Sequence, residues 1–461
     1  MILSGLLVCA ASAASEDNGN QKLERRFQQA VAEYNAGHLS EAAAQLEELL
    51  PSVPKSFEVQ ELLGMIYSAQ SQDAKATEHL EAAVRLKPDS LAARTNLAAN
   101  LVHTGKLDLA GVQLRKALEL GPRDFDANHN LGQFYIQSGK IADAVPFLAE
   151  AQRINPSSYD NGYNLAMAYL FTGQLSKARE LIHPLLEQHN TGELHNLLGQ
   201  IEEKDGKFVE AANEYQAAAH LDPSEDNLFD WGSELLLHQT FDPAIDVFEQ
   251  ATQRYPGSPR LRIGLGMALY SRGKYDDAVA SLLKAADLDP SDQRCYYFLS
   301  KAYDSSPSQA DEVIQRFRRF SELQPGNARG FYYYAMSLWK GKRSEELGEN
   351  LKQVETLLRK SVALDPNFAD AHAQLGNLYS DQHQYDKSVP EYQRALELNP
   401  ILPDTHYRLG QNYVHLGHKD LAQKEFDVYQ TQRAQHMAEI DRERAEVRQF
   451  VYSEKGAASK P

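Results

Sequence analysis

Apolar residues recur along most of this chain in paired blocks that share one spacing. In residues 128–156 the first block carries Leu131 and Tyr135, four residues apart, and the second carries Ala144 and Ala151, seven residues apart. Intervals of three, four and seven residues place side chains on one face of a helix. The pattern predicts two amphipathic helices joined by a turn, and it returns about every thirty-four residues.

Prolines mark where most of these helical pairs end, because proline bars a helix from continuing. They are Pro54, Pro88, Pro122, Pro156, Pro223, Pro256, Pro290, Pro325, Pro366 and Pro400. Asn190 stands in the place of a missing proline, and about seven extra residues fall near 341–350. Together with the pair after Pro400, the spacing predicts twelve repeats over residues 22–430.

Small residues stand at fixed places within the repeat. Glycine, which adopts left-handed backbone angles at low cost, occupies the turn between the two helices in seven repeats. These are Gly37, Gly105, Gly139, Gly173, Gly206, Gly273 and Gly417. The second helix alternates small and large apolar residues, as in Ala244, Phe248 and Ala251, which predicts close approach of neighbouring helices. We expect Asp242 to cap that helix, with Pro243 at its first position.

The run Trp231-Gly232, Ala244, Phe248, Ala251, Pro256 resembles the tetratricopeptide repeat. The resemblance extends over residues 22–430 and implies an all-α fold, an α-solenoid wound into a right-handed superhelix of about twelve helix-turn-helix units. It also implies a function in protein binding. Residues 431–454, rich in Glu, Gln, Arg and Ala, predict a C-terminal helix that caps the open end; a dimerising helix is the alternative. Residues 455–461 are expected to be a disordered tail.

The first fourteen residues have the pattern of a signal peptide. An apolar run from Ile2 to Ala11 precedes the small residues Ala11-Ser12-Ala13, although no Lys or Arg comes before the run. This predicts a periplasmic or secreted protein. Leu6-Leu7-Val8-Cys9 faintly resembles a lipoprotein signal, which is the less favoured alternative because Val8 is large.

Composition narrows the classes of function. The formal net charge of −17 disfavours nucleic acid as a general partner, and no other stretch is long enough to span a membrane. The sequence contains no nucleotide-binding or hydrolase motif, and the repeats leave no room for a catalytic domain. We therefore predict a non-enzymatic protein without a cofactor or a metal. After removal of the signal, Cys295 would be the single cysteine, and it is expected to be buried.

The resemblance implies that the first helix of each repeat lines a concave groove. If Leu131-Gly132 and its equivalents are counted as places seven and eight, the groove-facing places are two, five, six, nine and twelve. Place two forms a column of charged residues in successive repeats: Asp126, Asp160, Glu193, Asp226, Arg260, Arg294, Arg329, Asp370 and Asp404. Lysines and large apolar side chains accompany the three arginines: Tyr270, Tyr297, Lys301, Tyr332, Tyr333, Met336, Trp339 and Lys340.

These residues predict a basic, aromatic peptide-binding site, because guanidinium groups pair with carboxylates and aromatic rings add apolar contact. The alternative is that some of the rings belong to the core and that the arginines pair with neighbouring acids. Tyr297 and Tyr332 are the expected groove residues, whereas Tyr303 and Tyr334 are expected in the core.

A second column stands at place six, where Asn96, Asn130 and Asn164 follow one another. Repeated amides can hold the backbone of an extended peptide whatever its side chains. The column resembles the asparagine ladder of the O-linked N-acetylglucosamine transferase repeats, but that family's transferase domain is missing from this sequence. The alternative is that these amides bind neighbouring helix ends.

The leading hypothesis is an exported scaffold that binds an extended protein segment in its groove. Two alternatives remain: an envelope or polysaccharide-assembly factor whose aromatic residues stack on sugars, and an adaptor subunit for an enzyme on another chain. The sequence does not fix the oligomeric state.

Overall fold

The computed structural model describes residues 14–341 and 347–434, with side chains from residue 21 onward and again from residue 350. These residues form α-helices joined by short turns, with one 3₁₀ turn at Leu50–Ser52, and they contain no β-strand. The described residues divide between two compact modules. The N-terminal module is residues 1–223, and the C-terminal module is residues 224–461.

The helices of the N-terminal module are α1 (Ala14–Asn35), α2 (Leu39–Leu49), α3 (Phe57–Ala69), α4 (Asp73–Leu86), α5 (Leu91–His103), α6 (Leu107–Leu120), α7 (Phe125–Gln137), α8 (Ile141–Ile154), α9 (Tyr159–Phe171), α10 (Leu175–Gln188), α11 (Gly192–Lys204) and α12 (Phe208–Leu221). They make six consecutive pairs, which we number repeats one to six. The first of these helices begins eight residues before the predicted start of the repeats at residue 22.

The helices of the C-terminal module are α13 (Glu225–Leu237), α14 (Phe241–Arg254), α15 (Pro259–Arg272), α16 (Tyr275–Leu288), α17 (Gln293–Ser305), α18 (Ala310–Leu323), α19 (Ala328–Gly341), α20 (Leu347–Leu364), α21 (Ala369–Asp381), α22 (Tyr385–Leu398), α23 (Pro403–His415) and α24 (419–434). They make repeats seven to twelve, so the predicted number of repeats is confirmed.

Each module is a helical solenoid in which every helix packs on its neighbours in sequence. The first helix of a repeat contacts its own second helix, and the second helix contacts the first helix of the next repeat. First helices of successive repeats also touch, as α17 does α19. One pair cannot bury its own apolar stripe, so each pair is stabilised by its neighbours. The predicted handedness of a superhelix stays a prediction.

Small residues let the helices approach closely. In α14 the side chains of Ala244, Phe248 and Ala251 are all fully buried, as the spacing predicted. A Cβ atom added at Gly232 on the facing helix α13 would lie 2.8 Å from the Phe248 ring. Glycine at this place therefore makes room for the large side chain of the second helix.

The turns confirm the role of the seven glycines, all of which have positive φ angles. Four other repeats put a residue with a side chain at the equivalent turn, also with positive φ: Ser71, Gln239, Gln309 and His383. In the ninth repeat the chain runs from Ser306 to Gln309 between helices, which makes this turn irregular. The turn of the tenth repeat, residues 342–346, lies outside the described residues.

One predicted helix start is wrong. The helix α14 begins at Phe241 with Thr240 at the N-cap, so Asp242 and Pro243 lie in the first turn instead of defining its start. Backbone N–H groups in the first turn have no acceptor within the helix, which makes proline acceptable throughout that turn. The first helical residue is the half-buried Phe241.

At the other end, α24 extends to the last described residue, 434. Residues 431–434 of the predicted capping helix are helical as the end of α24. The rest of that helix to residue 454, the tail at 455–461 and nearly all of the predicted signal peptide fall outside the described residues and stay predictions. No helix in residues 14–341 and 347–434 has the length and apolar character needed to cross a membrane.

Candidate functional site

A cavity of about 520 Å³ opens on the C-terminal module beside the N-terminal ends of α17 and α19. It is lined by Gln293, Arg294, Tyr297, Phe298, Phe320, Asn327, Arg329 and Tyr333. The structure therefore brings together four residues named for the predicted site, Arg294, Tyr297, Arg329 and Tyr333. The predicted members Arg260, Tyr270, Lys301, Tyr332 and Trp339 are not among the lining residues.

The guanidinium group of Arg260 is already occupied. It donates to Asp226 at 2.6 Å, and it lies 4.4 Å from the centre of the Phe229 ring. Glu225 lies 3.6 Å away as a second carboxylate partner. For this arginine the alternative reading of the column, pairing with a neighbouring acid, describes the structure.

Arg294 is held by the residue that caps its own helix. Asp292 accepts a hydrogen bond from the backbone N–H of Arg294 at 2.9 Å, and its carboxylate also binds the guanidinium, with Nη2 at 2.6 Å. The hydrogen bonds from Arg294 lower the pKa of the Asp292 carboxyl. About two thirds of the Arg294 side chain is nevertheless exposed, and Nη1 has no recorded acceptor among the described residues.

Arg329 differs because the residue at its helix start is neutral. Asn327 accepts hydrogen bonds from the backbone N–H groups of Arg329 and Gly330 at 3.1 Å and 3.3 Å. The guanidinium lies 5.9 Å from the centre of the Phe368 ring, and it has no carboxylate partner in the part of the chain that the structure describes. All its N–H donors are thus available to an anion.

Aromatic rings form the rest of the cavity wall. Tyr297 is 44% exposed and meets Phe298 edge to face at 5.1 Å between ring centres. Tyr333 is buried, which raises the pKa of its hydroxyl to about 12. Phe320 stacks on Tyr296 at 4.1 Å. Rigid rings next to a free guanidinium suit a ligand that carries both an anion and an apolar group.

The other predicted residues lie around this cavity or beyond it. Lys301 has its ammonium group 5.7 Å from the centre of the Tyr297 ring. Tyr332, expected in the groove, packs against Tyr333 and Phe368, with 5.0 Å between its ring centre and that of Phe368. Tyr270 contacts Tyr275, and Trp339 is half-buried.

Several core predictions are confirmed. Tyr303 and Tyr334 are buried, with 1% and 8% of their surfaces exposed. Cys295 is fully buried, and desolvation raises the pKa of its thiol. A thiol in that state is a poor nucleophile, so this cysteine has a packing role.

The asparagine column lies in the N-terminal module. Asn96, Asn130 and Asn164 are each half-buried, and none of the three side chains has a hydrogen-bond partner among the described residues. Amides that do bind helix ends stand at other places of the repeat, as Asn128 does by donating to the carbonyl of the N-cap residue Asp124 at 2.8 Å. The column is therefore available to a ligand backbone.

Sequence reasoning missed four residues of the cavity wall as site residues: Gln293, Phe298, Phe320 and Asn327. Phe298 carried a signal, since it occupies place six, where the asparagine column stands in earlier repeats. Phe320 gave none, because it belongs to the second helix of its repeat. No cluster of His, Cys, Asp and Glu side chains suited to a metal ion occurs among the described residues.

The fold and this surface define a class: an all-α helical-repeat protein with a side-chain cavity on the first helices of its repeats. Models of the tetratricopeptide repeat match residues 27–91, 95–159, 135–201 and 229–293, and further models of the same repeat match 357–389 and 376–417. These ranges cover more than half of the chain, which belongs to the tetratricopeptide repeat family. Repeats of this family serve as protein-interaction scaffolds.

Two curated relatives come from Bacillus subtilis (strain 168). The TPR repeat-containing protein YpiA is 26% identical over 188 residues, which cover 41% of this chain and 42% of YpiA. The TPR repeat-containing protein YvcD is 34% identical over 82 residues, 17% of each chain. The chain thus spans less than half the length of either relative.

Among solved structures, the APC/C hetero-tetramer Cut9-Hcn1 is similar over 91% of this chain and 87% of that chain, with 16% identity and a TM-score of 0.37.

Proposed function

We propose that this protein is a non-enzymatic scaffold that binds an extended, acidic segment of a partner protein at the cavity beside α17 and α19. The observation that carries the proposal is the unpaired guanidinium of Arg329 in an aromatic wall. A guanidinium group offers a planar fork of donors that matches a carboxylate. No carboxylate of the described residues binds the guanidinium group of Arg329.

The charge of the whole chain sharpens the selectivity of such a site. A formal charge of −17 repels acidic segments from most of the surface. The arginines of the cavity attract acidic groups on a surface that otherwise repels them. An acidic ligand is therefore expected to bind at this cavity in preference to the rest of the surface. Electrostatic complementarity of this kind gives specificity and fast association more than raw affinity.

The asparagine column gives the N-terminal module a feature of its own that suits an extended ligand. Three half-buried amides without partners recur at one repeat spacing on α5, α7 and α9. Each amide offers one acceptor and two donor hydrogens, the complement of a peptide group. We propose that this column holds the backbone of an extended segment on the N-terminal module.

The experiment replaces the neighbouring residues that decide whether the guanidinium group of each arginine is free to bind a ligand. A photo-crosslinking amino acid at Tyr297 captures the partner in the native cell, and mass spectrometry identifies the segment. Asn327→Asp places a carboxylate next to Arg329 and is expected to reduce crosslinking severalfold. Asp292→Asn releases Arg294 and is expected to increase it.

Arg260→Glu is the matched control, because Arg260 lies outside the cavity wall and is paired with Asp226. It changes the net charge in the same direction as Asn327→Asp and is expected to leave crosslinking at Tyr297 unchanged. Equal crosslinking in Asn327→Asp and the unmodified protein would refute the site.

We also propose export to the periplasm or the cell exterior, supported by the apolar run and small residues before residue 14. The test is the N-terminus of the protein purified from its native cell. A mature chain that begins near Ala14 supports the proposal, and an intact Met1 in a cytoplasmic fraction contradicts it.

A further inference from the structure

A second unpaired cation stands near the cavity on the same helix as Arg294. Lys301 lies seven residues later on α17, and among the described residues its ammonium group has no carboxylate within ion-pair distance. The nearby carboxylate of Asp304 is already used, since Lys340 donates to it at 2.5 Å. The exposed ring of Tyr297 lies between the two cations in the sequence of the helix.

The spacing of these cations follows from helix geometry. Seven residues of an α-helix rise about 10.5 Å, and residues i and i+7 lie on the same face. A ligand segment in polyproline II conformation has three residues per turn and a rise of about 3.1 Å per residue. Its residues i and i+3 therefore point to one side about 9.3 Å apart. In a β-strand, residues on one side at a comparable distance are i and i+4, about 13 Å apart.

We infer that the segment bound at this cavity carries two acidic residues at positions i and i+3 in polyproline II conformation, one for Arg294 and Arg329 and one for Lys301. This inference rests on the proposed function and specifies its ligand. The apolar side chain between the two acids packs on Tyr297.

The neighbouring charges limit the number of acids to two. Toward the preceding repeats, Arg260 is neutralised by Asp226. Toward the following repeat, place two is the acidic Asp370. On α19, Lys340 is neutralised by Asp304. A third acid on either side would meet no free cation at these three positions.

The test uses fluorescein-labelled, proline-rich nonapeptides with blocked ends. One series places two glutamates at i and i+3, at i and i+1, or at i and i+4, and a fourth peptide carries one glutamate. The three doubly acidic peptides have equal charge, so the repulsion from the rest of the chain is the same for each. Binding to the full chain is measured by fluorescence anisotropy at low ionic strength.

The i, i+3 peptide is expected to bind about fivefold more tightly than the other three, the ratio typical of one exposed charge pair. Lys301→Gln is expected to abolish that advantage while leaving the binding of the singly acidic peptide unchanged. Lys284→Gln, which removes an exposed lysine from the second helix α16, controls for the lost charge and is expected to have no effect.

Each other outcome decides against the inference. Equal binding of the three doubly acidic peptides, or an advantage that survives Lys301→Gln, overturns the spacing but leaves the cavity as a site for a single acid. Absence of binding by all four peptides overturns the proposed function as well. The binding of the singly acidic peptide distinguishes these two failures. If it binds and Arg329 is needed for its binding, the proposed function stands and only the spacing is wrong.

Discussion

The contact between Gly376 and Tyr392 allows the packing rule of the repeats to be measured. Gly376 stands at place eight of α21, and a Cβ atom added there would lie 2.6 Å from the Tyr392 ring. Carbon atoms in ordinary contact are separated by about 3.5–4.0 Å. The ring cannot easily retreat, because Tyr392 is fully buried and its hydroxyl donates to Asn377 at 2.7 Å.

The expected cost of Gly376→Ala combines two unfavourable contributions with one favourable contribution. Overpacking of a filled core costs about 1–3 kcal/mol. Displacing the ring also strains the hydrogen bond to Asn377, worth about 1 kcal/mol. Against these, alanine in a helix is about 1 kcal/mol more favourable than glycine. The variant is therefore expected to be about 1–3 kcal/mol less stable than the unmodified protein.

Shortening the partner should remove the conflict. Tyr392→Leu alone is expected to cost about 2 kcal/mol through the cavity it leaves. In the double variant the alanine should become neutral or slightly stabilising, which gives a coupling energy of about 1–3 kcal/mol. The chain already uses this combination, since the third repeat has Ala98 at place eight and Leu114 at the facing place, both buried.

The assay is urea unfolding followed by circular dichroism, with hydrogen exchange of α21 and α22 by mass spectrometry to locate the loss of stability. Gly257→Ala is the control, because a Cβ atom at Gly257 meets nothing within 4 Å. The reasoning is refuted if Gly376→Ala is as mild as this control. It is also refuted if the stability changes of the two single variants add without coupling.

Three further predictions concern stability. Arg179 makes hydrogen bonds of 2.6 Å and 2.8 Å to the buried carboxylate of Glu202, so Arg179→Ala should destabilise the N-terminal module by about 2–4 kcal/mol in urea unfolding. These bonds lower the pKa of Glu202, so their stabilisation is present above about pH 4.5 and is lost as pH falls through the folded pKa. Between pH 6 and pH 3 the free energy of unfolding should therefore fall less steeply in Arg179→Ala than in the unmodified protein. Gln239 has a φ of +59°, so Gln239→Gly should raise the melting temperature by relieving about 0.5–1 kcal/mol of strain, whereas Gly273→Ala, at a φ of +87°, should lower it.

Much of the fold could be predicted because repetition averages out local ambiguity. Any one helix of fourteen residues gives a weak signal, but twelve copies fix the period, the turn and the small residues together. The turns at Ser71, Gln239 and His383 were not predicted because they contain no glycine. A polar residue at positive φ cannot be distinguished in the sequence from any other polar surface residue. Counting from the neighbouring glycines would have located them.

The same size rule explains why glycine and aromatic residues vary together. Where the second helix has Tyr215, Phe248, Tyr392 or Phe426, the facing residue at place eight is glycine, and added Cβ atoms there would meet each ring at 2.6–2.9 Å. Where the second helix has leucine, place eight holds glycine or alanine. The sequence alone contains this pairing. It can be recognised once the positions that face each other on the two helices are known.

The candidate site shows where prediction from the sequence stops. Place two points to the arginines, but whether each is free depends on residues at two different separations. Arg260 is neutralised by Asp226, thirty-four residues earlier in the same column, whereas Arg294 is held through Nε and Nη2 by Asp292, two residues earlier at the helix cap, which leaves Nη1 free. Arg329 has an asparagine at that cap, and a neutral amide can accept from the backbone N–H groups without holding the guanidinium. A single atom exchange between the caps of α17 and α19, carboxylate oxygen for amide nitrogen, therefore decides which arginine keeps its whole guanidinium group free for a ligand.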